Sequence, residues 1–208
     1  MDKVVKTLSK KFKVEPWRED PFKVLVSTIL SQRTKDEVTE KASQKLLAKA
    51  DSPSKMLKLR ETQIAKLIYP VGFYKQKAKK LKLLCKLLVE KYGGKVPSRE
   101  EELLKLPGVG DKTAACVLCY GFGKATIPVD THVNRIAQRL GWVPKGSTPE
   151  KTRKILDKLI PNNLKVLVNF TFIEFGKKIC KPRKPLCAKC PISSFCLMLK
   201  EKTKKNLK

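Results

Sequence analysis

Leu106-Pro107-Gly108-Val109-Gly110-Asp111-Lys112-Thr113-Ala114 is the stretch on which the reading of this chain turns. Pro107 and the glycines at 108 and 110 permit a sharp turn with positive φ and close backbone approach. The apolar, alanine-rich run from Asp111 to Phe122 predicts a buried helix behind that turn. Uncapped amides at such a helix start, together with the positive end of its dipole, favour an anion such as a nucleic-acid phosphate. Lys112 then stands in the first turn as a candidate amine nucleophile, and Asp130 follows after one helix and one connection. Taken alone, Gly-x-Gly is also the ordinary pattern of one helix stopping and another starting, with a solvated lysine beside it.

The rest of the chain gives the motif its context. Of 208 residues, 47 are Lys or Arg and 19 are Asp or Glu, for a formal charge of +28. That excess exceeds what solubility needs, and it runs from Lys3 to Lys208 instead of forming a tail. Nucleic acid is the expected partner. No secretory signal or membrane-length apolar run is legible, so the expectation is a soluble, cytoplasmic protein, nucleoid-associated in a prokaryote and monomeric.

Helical period dominates, and an all-α fold is expected. Asp20-Pro21 and Ser52-Pro53 read as N-cap plus first-turn proline. Further helices are predicted over 35–49, 61–69, 75–92, 98–105, 111–122, 131–140, 149–160 and 164–176, and Lys200 to Lys208 reads as a frayed basic tail.

Cys180, Cys187, Cys190 and Cys196 form C-x6-C-x2-C-x5-C within 17 residues, a spacing that lets four thiolates converge on one metal centre. Cys85, Cys116 and Cys119 sit in apolar helical patterns, and an odd total of seven argues against a secreted disulfide framework. Zinc and iron–sulfur clusters share thiolate ligands, and spacing alone leaves both open. Between the first two ligands, Lys181, Arg183 and Lys184 ride on a proline-braced loop suited to a phosphate backbone.

Together these residues resemble the endonuclease III family of helix-hairpin-helix DNA glycosylases. The hairpin 106–114, Val129-Asp130-Thr131-His132-Val133 and the cysteine loop carry the resemblance, with weaker support from 30–36 and 71–78. It implies a 4Fe–4S cluster and a six-helix barrel domain over 17–126 with its helix-hairpin-helix at about 99–123. A cluster domain would be built from 1–16 and 127–208, with the cluster loop at 180–196 and an active-site cleft between the domains. Double-stranded DNA with damaged bases or abasic sites is the implied partner. Gly108, Val109 and Gly110 would grip its backbone. Either Gln32 or Arg33 would fill the gap left by a flipped nucleotide, and His132 would lie near the lesion. Phe73 falls where relatives often have leucine and would enter the opposite strand, although a buried core aromatic is an equal reading of the sequence.

The implied reaction is base removal with strand cleavage. Lys112 would attack C1′ and displace an oxidised pyrimidine, giving a Schiff base that allows β-elimination. Asp130 would stabilise positive charge on the sugar, besides the ordinary role of a helix N-cap. The alternatives are a monofunctional mismatch or adenine glycosylase of the same fold, or a non-catalytic DNA-binding module. Lys112 argues against the first group, and the absence of a carboxylate between Val24 and Leu30 argues against the adenine branch in particular.

Overall fold

The computed structural model describes residues 1–206. It is all-helical, with no strand among the described residues. The chain divides into two compact units, one formed by 18–124 and the other by 1–17 with 125–208.

The central unit contains α2 (Pro21–Ser31), α3 (Asp36–Lys49), α4 (Pro53–Lys58), α5 (Glu61–Ile68), α6 (Tyr74–Tyr92), α7 (Glu100–Leu103) and α8 (Asp111–Cys116). Asp20 starts α2 by accepting from the amides of Phe22 and Lys23 at 2.9 and 3.1 Å, with Pro21 preset for the first turn. Phe22, Val24, Leu25, Val26, Ile29 and Leu30 are all buried. A helix apolar on nearly every side must be enclosed, and α2 is packed by α3, α6 and α8. Each such side chain contributes about 1.5–3 kcal/mol when fully buried.

The helix expected over 98–105 is only α7, four residues long, and the one expected over 111–122 changes pitch after Cys116. Val117–Gly121 is π-helical, with the Phe122 amide reaching the Val117 carbonyl at 3.1 Å. Pro21 lies against that wider turn, where a Cβ on Gly121 would sit 2.9 Å from its Cα.

The second unit contains α1 (Asp2–Phe12), α9 (Thr131–Leu140), α10 (Pro149–Leu159), α11 (Asn162–Lys178) and α12 (Leu197–Asn206). Val4, Val5 and Leu8 form one apolar face of α1 and join Val133, Ile136, Leu140, Leu156, Val168, Phe172 and Phe175 in a single core. The stretch expected as a frayed tail is instead helical from Leu197 through Asn206, while 207–208 lie outside the described residues. No helix among the described residues is long and apolar enough to cross a membrane.

Candidate active site

The hairpin is built as a tight chain of backbone bonds. Leu106 N–H donates to the Leu103 carbonyl at 3.0 Å and Val109 N–H to Leu106 at 3.1 Å. Only Gly108 uses the left-handed region, with φ of 84°. Gly110, also expected at positive φ, is instead extended at −111°, −178° and serves as the N-cap of α8. A Cβ there would meet nothing within 4 Å, so what glycine leaves is an open approach to the first-turn amides, which no side chain caps. Val109 is 9% exposed, so its side chain offers a ligand little surface. Lys112, half-buried, follows in that first turn.

Gln32 is tied to this hairpin. Its Nε2 donates to the Gly108 carbonyl at 3.0 Å and to Thr113 Oγ1 at 3.3 Å. Arg33 is exposed, and its guanidinium stands 5.7 Å from the ring centroid of Phe73. Phe73 is 54% exposed, which rules out a core role for its ring. Arg33 and Phe73 are both non-glycine residues at left-handed φ, 52° and 57°.

In the other unit, Asp130 is the N-cap of α9, its Oδ1 accepting from Val133 N–H at 2.8 Å. The extended segment before it is clamped at successive residues. Asp157 accepts from Thr126 Oγ1 at 2.9 Å and Ile127 N–H at 2.8 Å, Asn169 donates to the Pro128 carbonyl at 2.9 Å, and Lys165 to Ala125 at 3.2 Å. Burial pushes the Asp157 carboxyl above its ordinary range, opposed by those two accepted bonds and by Lys165 and Arg153. These clamps fix where the Asp130 carboxylate begins.

The helix after Asp130 also holds the cysteine loop, through residues that sequence reading missed. Arg135 donates to the Cys180 carbonyl at 3.0 Å and to His132 Nδ1 at 3.2 Å. A guanidinium only donates, so Nδ1 accepts and Nε2 of a neutral His132 carries the proton. Arg139 binds the Lys181 and Pro182 carbonyls at 2.8 and 2.9 Å and Cys180 Sγ at 3.2 Å. Their four-residue spacing on α9 was the available clue. With the loop backbone pinned, the side chains of Lys181, Arg183 and Lys184 are exposed.

Cys180, Cys187, Cys190 and Cys196 line one apolar pocket with Ile136, Leu140 and Phe175. Burial raises the Cys190 and Cys196 thiols, and repulsion from the other cysteines adds to it, so a cationic core among them relieves both costs. Four cysteine donors lining one apolar pocket fit a thiolate-held iron–sulfur cluster.

Family comparisons agree with the geometry. Residues 26–162 match the HhH-GPD superfamily of base excision DNA repair proteins. Residues 180–196 match the iron–sulfur binding domain of endonuclease III. The chain belongs to the endonuclease III family. The endonuclease III of Thermotoga maritima is 48% identical over 196 residues, covering 94% of this chain and 92% of that protein. A trapped endonuclease III–DNA covalent intermediate, in its estranged-adenine complex, superposes with a TM-score of 0.85 at 32% identity, covering 96% of this chain and 95% of the other. A thermostable thymine-DNA glycosylase superposes at 0.84 with 31% identity and 96% of both chains. This member of the endonuclease III family is therefore a base excision repair DNA glycosylase with a 4Fe–4S cluster, and the cysteines at 180, 187, 190 and 196 are the residues that suit it as ligands.

Proposed function

We propose that the chain is bifunctional, excising oxidised pyrimidines from duplex DNA and then cutting the strand 3′ to the abasic site. The observation that carries this is Lys112 in the first turn of α8, behind the open backbone of Gly108 to Gly110. A relative at 32% identity caught as a covalent DNA intermediate supports it. Deprotonated Nζ of Lys112 attacks C1′, the glycosidic C–N bond breaks, and the base departs with the bonding electrons and takes a proton. The sugar ring opens to a Schiff base, which acidifies the C2′ hydrogen. Loss of that proton expels the 3′ phosphate.

Asp130 stabilises positive charge that builds on the sugar, its direction set by the cap to Val133. His132, the second residue of α9 after the Asp130 cap, lies near the lesion. Phe73 enters the opposite strand, while Arg33, which lies over the Phe73 ring and not on the hairpin as Gln32 does, fills the vacated stack. Cys180, Cys187, Cys190 and Cys196 would hold the cluster, which would brace the loop, and Lys181, Arg183 and Lys184 on that loop face the phosphates. We read the protein as a monomer acting in the cytoplasm on the nucleoid.

A panel of duplexes tests the substrate class. The expected result is excision of thymine glycol and other oxidised pyrimidines with strand scission, and Asp130→Asn should slow base removal with little loss of DNA affinity. Excision confined to thymine or uracil opposite guanine, without scission, would make the chain a monofunctional mismatch enzyme like the thymine-DNA glycosylase it superposes on.

A further inference from the structure

One buried cation beside the DNA-entering loops has no part in the chemistry above. Lys77, in the first turn of α6, is 5% exposed. Its Nζ donates to the Leu30 carbonyl at 2.8 Å, to the Gln32 carbonyl, and to Thr34 Oγ1 at 3.2 Å. Since α2 ends at Ser31, these carbonyls belong to its C-terminal end, where the helix dipole favours a cation. Every hydrogen of the ammonium is thus directed at the turn that carries Gln32 and Arg33.

The same turn is fastened to the loop ahead of α6. Gly72 N–H donates to Thr34 Oγ1 at 3.2 Å, and a Cβ on Gly72 would sit 2.5 Å from the Arg33 carbonyl oxygen. Thr34 therefore joins Lys77 to both loops. Left-handed backbone at Arg33 and Phe73 persists only where the surroundings hold it. Burial, with the Lys80 charge as the smaller cause, lowers the Lys77 ammonium to about 8. Its three oxygen partners act in the opposite direction, favouring the charged form.

We propose that Lys77 is a positioning residue for duplex entry: by gripping the end of α2 and Thr34 it holds Arg33 and Phe73 in the arrangement that penetrates the base stack, with Gln32 kept on Gly108, without touching the reacting atoms. This rests on the reading that those loops enter DNA.

The test compares strand cleavage at a ready-made abasic site in duplex and in single-stranded DNA, with 2-aminopurine opposite the site in the duplex to report unstacking. Wild type should raise the fluorescence on binding. Lys77→Met should lose that rise and cleave the duplex about tenfold more slowly, while its single-strand rate stays within about twofold. Thr34→Val, a milder change, should show the same split at about threefold. Either variant matching wild type on duplex, with the rise intact, would overturn the role of Lys77. So would equal loss on both substrates in Lys77→Met with Thr34→Val unaffected, since that pattern is only a folding defect. If wild type itself gives no rise and cleaves both substrates equally, the loop-entry reading fails and takes this inference with it.

Discussion

Gln32 and Gly108 are joined across 76 residues of sequence, the glutamine Nε2 donating to the glycine carbonyl at 3.0 Å. That bond ties the turn after α2 to the tip of the hairpin, and in the proposed reading it couples the element that would grip phosphate to the one that would enter the stack. Both neighbours are exposed, but Gln32 hydrogen-bonds to Gly108 and Thr113 whereas Arg33 lies over the Phe73 ring.

Arg33→Ala should therefore slow excision from duplex DNA by roughly tenfold or more, a loss of about 1.4 kcal/mol or greater in transition-state stabilisation, with little change in thermal stability. Gln32→Ala should act the other way round, costing about 0.5–1.5 kcal/mol of stability for the lost hydrogen bonds. Single-turnover kinetics and urea unfolding on both variants check the assignment. A larger kinetic effect from Gln32→Ala would exchange their roles.

The cluster loop should dominate the salt response. Lys181, Arg183 and Lys184 are exposed above a backbone held by Arg139. Replacing each by alanine should weaken binding uniformly across sequences and reduce the slope of log affinity against log salt by about one per lost phosphate contact. A slope unchanged in the triple variant would remove the loop from the DNA interface.

Lys77 gives the stability curve a definite sign. Its burial lowers the ammonium from 10.5 to about 8, so the unfolded chain holds the proton more tightly than the fold does. The cost of the buried charge is fully present below about 8 and is relieved as pH climbs toward 10.5. Relative to Lys77→Met, wild type should gain stability across that window, read by urea unfolding at several pH values. A flat or falling difference would mean that the oxygen partners outweigh burial. The loop brace itself loses one donor over the same range, even as the fold gains.

Much of the scaffold was legible because its causes are local. Asp20-Pro21 and Ser52-Pro53 start helices as their chemistry dictates, with Asp20 and Ser52 both accepting first-turn amides. The cysteine spacing was equally readable, since four ligands within a 17-residue segment need no knowledge of the fold to converge. The α1 helix was missed because its apolar face is only Val4, Val5 and Leu8, narrow for a periodic pattern and buried by a core drawn from α9 to α11. Lys77, Arg135 and Arg139 were missed for a related reason. In a chain with 47 basic residues, the lysines and arginines that turn inward look like those that face water until distant carbonyls at Leu30 and Cys180 are placed beside them. Gly110 shows the limit of motif reading in the opposite sense, since its glycine serves open access and not a strained backbone angle.

In the proposed reaction Lys112 Nζ becomes covalently joined to the sugar. Borohydride reduction during turnover of an abasic duplex should trap a protein–DNA adduct that peptide mapping places on Lys112, and Lys112→Gln should form none while still binding the duplex. An adduct that persists in Lys112→Gln, or active base excision by wild type with no adduct at all, would contradict it.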